Sequence, residues 1–211
     1  MEYTIVEVNS ESVTDDIVVV IKTLCKEALA ENKHEARTNM QIDNWQNISS
    51  SLLYLLLIEK RFTPGNGGLL LLMEGPKAIG VSGYYRSDFD SGIFLMGVRS
   101  WVLKKYRFNL LIAKYLLPYQ LEKIKNLGAH TVAITFNDAT KPFAKLIERS
   151  NKNSESKNKF FFGREYPDIY KDMTFLNEPM RIKNVKQWVL IKQISPSQFN
   201  WAQLRWQASD E

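Results

Sequence analysis

The chain has 211 residues, 45% of them hydrophobic and 24% charged, enough for one sizeable core and near the upper end for one domain. Its single cysteine, Cys25, lies in the apolar run VVVIKTLCKEAL and excludes an internal disulfide framework and a cysteine-based zinc site. The net charge of +5 is unevenly spread: residues 1–100 hold 9 Lys and Arg against 13 Asp and Glu, while residues 101–211 hold 19 against 10. Such a basic half suits either a solvated surface or a polyanionic partner.

The opening MEYTIVEVNS has neither the basic start nor the long apolar stretch of a signal peptide, so the cytoplasm is the expected compartment. LLYLLLI (52–58) and LLLLM (69–73) fall far short of the roughly 20 apolar residues that cross a bilayer and read as core. No membrane partner is expected.

YTIVEV (3–8) alternates as a short strand. Thr14 caps a helix over DDIVVVIKTLCKEALAE, with Asp15 and Asp16 at its positive end and Ile17, Val20, Ile21, Leu24 and Ala28 on one face. A second helix is expected at roughly 43–60, before the turn TPGNGG. GLLLLMEG, KAIGVSGYYRS and IFLMGVRSWVL then read as an antiparallel meander.

Next comes KKYRFNLLIAKYLL (104–117), where Leu110, Ala113, Leu117, Leu121 and Ile124 form one helical face ending near Gly128. Pro118 predicts either a kink or a helix that restarts there. HTVAITF (130–136) is a buried strand, followed by a helix over NDATKPFAKLIERSN with Thr140 as cap and Pro142 in its first turn. SNKNSESKNK predicts a flexible loop near 151–159, FFFGREY and QWVLIKQI are closing strands, and 195–211 is an extended tail.

Three segments in this order resemble the GNAT N-acyltransferase superfamily. Val102-Leu103-Lys104-Lys105-Tyr106-Arg107 resembles the end of that family's fourth strand, commonly V-x-P-x-Y-R, with Lys104 in place of the proline. Ile134-Thr135-Phe136-Asn137-Asp138-Ala139 resembles its fifth strand and asparagine. Lys141-Pro142-Phe143-Ala144-Lys145-Leu146-Ile147-Glu148-Arg149 resembles the helix that follows.

The resemblance implies one acyltransferase-like domain over 1–211, of α/β (α+β) class. It would have a mixed, mostly antiparallel sheet of six to seven strands, about four flanking helices, and strands four and five splayed. It implies acetyl-CoA or another acyl-CoA as co-substrate, with a small-molecule or peptide amine as acceptor; it leaves room for a homodimer.

The same resemblance puts the pantetheine arm along Val102 and Leu103 and the diphosphate at Arg107, Phe108, Asn109, Leu110, Leu111 and Ile112, with Asn137 touching the cofactor. Physically, a helix N-terminus offers unpaired N–H groups and partial positive charge to phosphates. The family's loop, Q/R-x-x-G-x-G/A, has glycines where this chain has Leu110 and Ile112. Helical φ is expected at both, and therefore crowding of the ligand.

Arg107 reads either as a phosphate ligand or as part of a solvated basic turn, and Asn137 either as a cofactor contact or as turn chemistry. Where the family has a tyrosine general acid stands Ile147, which has no proton to give. Tyr84, Tyr85, Tyr166 and Tyr170 are substitutes that also read as core aromatics. His34, Glu35, Glu74, Asp88 and Asp90 are candidate bases, Glu35 and His34 because the segment between the first two helices lines the acceptor pocket in the family.

His34 and His130 lack carboxylate or thiol company, so no metal is expected. The chain has no G-x-G-x-x-G, GK[ST] or G-x-S-x-G motif. An N-acyltransferase is thus the leading expectation, and an inactive GNAT-like binding or structural module the alternative. Nucleic-acid binding through KNKFFFGR (157–164) ranks third, since a loop and an ordinary strand explain the same letters.

Overall fold

The computed structural model describes residues 2–32, 52–138, 140–152, 168–182 and 185–207. The strands are β1 (Tyr3–Val8), β2 (Gly67–Glu74), β3 (Lys77–Arg86), β4 (Ile93–Val102), β5 (Thr131–Phe136), β6 (Thr174–Phe175), β7 (Met180–Ile182) and β8 (Val185–Gln193). The helices are α1 (Asp15–Asn32), α2 (Leu117–Asn126) and α3 (Lys141–Lys152), with a π-helical turn at Tyr54–Ile58 and another, Ile112–Leu116, leading into α2.

Hydrogen-bonded neighbours run β1-β2-β3-β4-β5-β8-β6, with β7 pairing β8. β1 with β2, β2 with β3, and β8 with β5, β6 and β7 are antiparallel, whereas β4 and β5 are parallel. The α+β class, the meander and the mixed sheet stand as expected. Among the described residues the strands number eight rather than six to seven, because Thr174–Phe175 and Met180–Ile182 pair over two and three residues, too few to carry a periodicity.

Two compact units share the chain. The first comprises Met1–Arg86 and Met96–Lys123, the second Ser87–Leu95 and Ile124–Glu211. In the first, α1 and the helix from Ile112 both pack on β3, whose residues Ala78 to Tyr85 are buried on both faces. Thr14 caps α1, its Oγ1 accepting from the Ile17 N–H at 3.3 Å, and Ile21, Leu24, Cys25 and Ala28 are buried. Burial pushes the Cys25 thiol up to about 11, which makes it an inert core group.

In the second unit the β4–β5 ladder holds three pairs, Ile93–Thr131, Phe94–Val132 and Leu95–Ala133. The cause of its short length lies in β4 itself. Gly97 has φ +69° and Arg99 φ +53°, left-handed conformations that interrupt a ladder. The Gly97 N–H donates instead to Oε1 of Gln120, a fully buried side chain of α2, at 2.9 Å. Gln120 Nε2 donates to Ser82 Oγ at 2.8 Å, and Ser82 Oγ bonds Ser100 Oγ at 2.5 Å. A bulge in β4 is thus held by a satisfied polar network.

The helix does not restart at Pro118: it runs unbroken from Leu111, with Leu111 and Leu117 both helical, and the Ile112–Leu116 turn between them is π-helical, a geometry that accommodates a residue without an N–H. The helix expected at 43–60 is described only from Leu52. Of the loop expected near 151–159, Asn151 and Lys152 belong instead to the end of α3, and the rest lies outside the described residues, as do FFFGREY, His34, Glu35 and Tyr166. In the tail, Trp201–Leu204 is a 3-10 turn where an extended chain was expected; Asn200 Oδ1 accepts from the Ala202 N–H at 3.0 Å.

Candidate functional site

β4 ends at Val102 and the chain turns into a 3-10 helix, Lys104–Asn109, carrying Lys104, Lys105 and Arg107. The turn is anchored on several sides. The Leu103 N–H donates to the Ile79 carbonyl at 2.9 Å, the Lys104 N–H to Glu31 Oε2 at 2.7 Å, and the Tyr106 hydroxyl to Glu74 Oε2. Lys105 Nζ lies 4.4 Å from the centre of the Tyr106 ring. Arg107 Nε donates to the Val102 carbonyl at 3.4 Å.

These anchors bear on the donor set. The Leu103 N–H is committed to β3, so it is not a donor to a pantetheine arm. Because successive N–H groups alternate along a strand, the Val102 N–H points away from β3 and keeps that role open. The Lys104 N–H is committed to Glu31.

Leu110 has φ +54° and ψ +32°, so the helical φ expected there is not found. A 3-10 turn that must hand over to a helix starting at Leu111 needs one left-handed residue between them, where families with glycine meet no strain. Leu111 has helical φ and ψ, with no side-chain cap hydrogen bond. The first turn after Leu110 thus starts with backbone N–H groups that no side chain caps among the described residues, beside three cationic residues.

Among the described residues no group of three or more His, Cys, Asp or Glu side chains could hold a metal ion. Nor is any described helix long and apolar enough to cross a membrane.

No family model matches the sequence, and no curated protein matches it. The fold does match solved structures. A GNAT-family acetyltransferase from Staphylococcus aureus Mu50 has 14% identity and a TM-score of 0.57 over 92% of this chain and 100% of that one. The chain carries the GNAT fold. The PaiA N-acetyltransferase of Thermoplasma acidophilum, solved with coenzyme A, has 12% identity and a TM-score of 0.55 over 92% and 99% of the two chains. The aminoglycoside acetyltransferase AAC(6')-Ib, solved with coenzyme A and kanamycin, has 8% identity and a TM-score of 0.51 over 92% and 95%.

Within this GNAT fold the other candidates are placed as follows. Tyr84 is 2% exposed and donates to Glu7 Oε1 at 2.6 Å; burial and the Glu7 carboxylate push its phenol well above the ordinary range. Tyr170 is buried in the second unit and likewise pushed up by burial. Both are held as phenols, poor acids toward a departing thiolate. Ile147 is fully buried in α3.

Asn137 serves turn chemistry: its Oδ1 accepts from the Thr140 N–H at 2.9 Å and from Thr140 Oγ1 at 2.8 Å, fixing the start of α3. His130 has carboxylate company after all, its Nε2 lying 2.9 Å from Asp90 Oδ1. The Gly92 N–H and the bond from His130 outweigh burial, which acts the other way, and hold the Asp90 carboxyl below its usual value.

Two carboxylates that hold the turn lie far from it in the sequence. Glu31 lies in the last turn of α1 and accepts from the Lys104 N–H. Glu74 was a candidate base, but it is instead the acceptor of Tyr106, with its Oε1 buried and without a hydrogen-bond partner among the described residues.

Proposed function

We propose that this chain is an acyl-CoA-dependent N-acyltransferase, with acetyl-CoA as its simplest donor and a small-molecule amine as acceptor. The observation that carries the reading is the uncapped helix start at Leu111, reached from the basic turn Lys104–Asn109 at the end of β4. The amides of Leu111, Ile112 and Ala113 would meet the diphosphate, Arg107 would add a charge-assisted bond, and the Val102 N–H would meet the pantetheine arm. Two GNAT-fold neighbours solved with coenzyme A, one of them also with the amine kanamycin, support the substrate classes.

In the reaction the amine nitrogen, having lost one proton, attacks the thioester carbonyl. The carbon–nitrogen bond forms and the carbon–sulfur bond breaks; the thiolate leaves with its electron pair and takes up a proton, while the new amide nitrogen releases its second one. Acceptor-dependent release of free thiol from acetyl-CoA, measured across a panel of polyamines, aminoglycosides and peptide N-termini, tests the reading. Release above the acceptor-free rate for any member supports it.

A second reading, a GNAT-fold binding module without transfer, is favoured by Ile147, whose fully buried side chain offers no proton where the family has a tyrosine. Saturable acetyl-CoA binding with no thiol release for any acceptor supports that reading.

A further inference from the structure

The second unit contains an open surface pocket of about 590 Å³ lined by Phe89, Arg181, Leu204, Arg205 and two glutamines, Gln203 and Gln207, nearly all of them exposed. That size is ordinary for a small-molecule site. Its wall is built rather than loose. The Trp206 N–H donates to the Pro179 carbonyl at 2.8 Å, Arg205 pairs with Met180 of β7 as an antiparallel bridge, and the Asn200 cap holds the Trp201–Leu204 turn.

Its two cations are differently placed. Arg205 Nε is engaged by Glu178 at 2.8 Å, which steadies one edge of the guanidinium. Arg181 has no carboxylate partner among the described residues; its guanidinium lies 5.8 Å from the Trp206 ring centre, which orients it without neutralising it. Phe89, a large ring left 40% exposed, and Leu204 supply an apolar side. A planar guanidinium fork matches a carboxylate or phosphate in two parallel bonds, and the carboxamides can add donors.

From this we infer that the pocket is a binding site for a small organic anion, a carboxylate or phosphate group carried on an aromatic or apolar body. Arg181 is its principal anchor and Phe89 its apolar contact. The site is separate from the acyl-transfer reading and does not depend on it.

The test follows the side-chain Nε–H signals of Arg181 and Arg205 by NMR during titration of the full chain with phenyl phosphate, benzoate, inorganic phosphate and benzyl alcohol. Saturable shifts of both signals are expected with phenyl phosphate or benzoate. Inorganic phosphate should bind more weakly and benzyl alcohol should give no saturable shift. Arg181→Ala should weaken binding about tenfold or more. Phe89→Ala should weaken phenyl phosphate but not inorganic phosphate, and Lys152→Ala, outside the pocket, should change nothing. Non-saturating shifts for every anion, or equal binding to Arg181→Ala with an unchanged melting temperature, would overturn the proposal. Equal affinity for phenyl phosphate and inorganic phosphate would overturn the apolar half of it.

Discussion

The Tyr84 hydroxyl donates to Glu7 Oε1 at 2.6 Å, linking β3 to the edge strand β1 across β2. Gly68 stands opposite Tyr84 in the ladder, and a Cβ there would come within 2.7 Å of the same carboxylate oxygen. Tyr119 at 3.2 Å and Lys123 at 2.9 Å, both from α2, close on Glu7 Oε2. One carboxylate thus joins two strands and the helix that follows the candidate turn.

A pH dependence follows. Burial raises the Glu7 carboxyl, but the bonds from Tyr84, Lys123 and Tyr119 and the Lys123 charge outweigh it and hold the group below 4.5. A folded-state value below the unfolded one stabilises above the unfolded value, and that contribution is lost as pH falls through the folded value. Glu7→Gln should cost about 1–3 kcal/mol at pH 7, the worth of hydrogen bonds to a charged group. In urea melts of both proteins, the gap should shrink as pH drops below 4.5. A gap that is constant down to pH ~3 contradicts the assignment.

The bulge in β4 depends on Gln120. Gln120→Leu removes the partner of the partly buried Gly97 N–H and one partner of Ser82, and should cost about 1–3 kcal/mol. The Gly97 amide should exchange with solvent much faster in this variant. Unchanged protection would mean that another group satisfies the bulge.

Leu110 holds a left-handed conformation that costs a branched L-residue about 1–2 kcal/mol. Elsewhere in a helix alanine is more stabilising than glycine by about 1 kcal/mol. Here the order should reverse, with Leu110→Gly more stable than Leu110→Ala, because both lose the same packing and only glycine escapes the φ penalty. Denaturant midpoints of the two variants settle the point, and an alanine variant as stable as the glycine one would refute it. Under the transferase reading, glycine should also admit coenzyme A more tightly.

The meander, the apolar face of α1 and the cap at Thr14 were legible because each is set by neighbours a few residues apart. The site was less so. The Leu110 backbone is dictated by the handover from the Lys104–Asn109 turn to the next helix, and letters alone do not disclose that a 3-10 turn precedes it. Glu31 meets Lys104 across 73 residues, Glu7 meets Tyr84 across 77, and Asp90 meets His130 across 40. Periodicity is silent on such pairs. Gln120 likewise meets the Gly97 N–H across 23 residues.

On the acyltransferase reading, the turn from Lys104 into the helix at Leu111 would bind the diphosphate of an acyl-CoA. The most direct measurement is a calorimetric titration of the full chain with acetyl-CoA, repeated on Arg107→Ala. Saturable one-site binding is expected, weakened about tenfold or more by the substitution with the melting temperature of the free protein preserved. Absence of binding at millimolar acetyl-CoA, or affinity unchanged in Arg107→Ala, would contradict it.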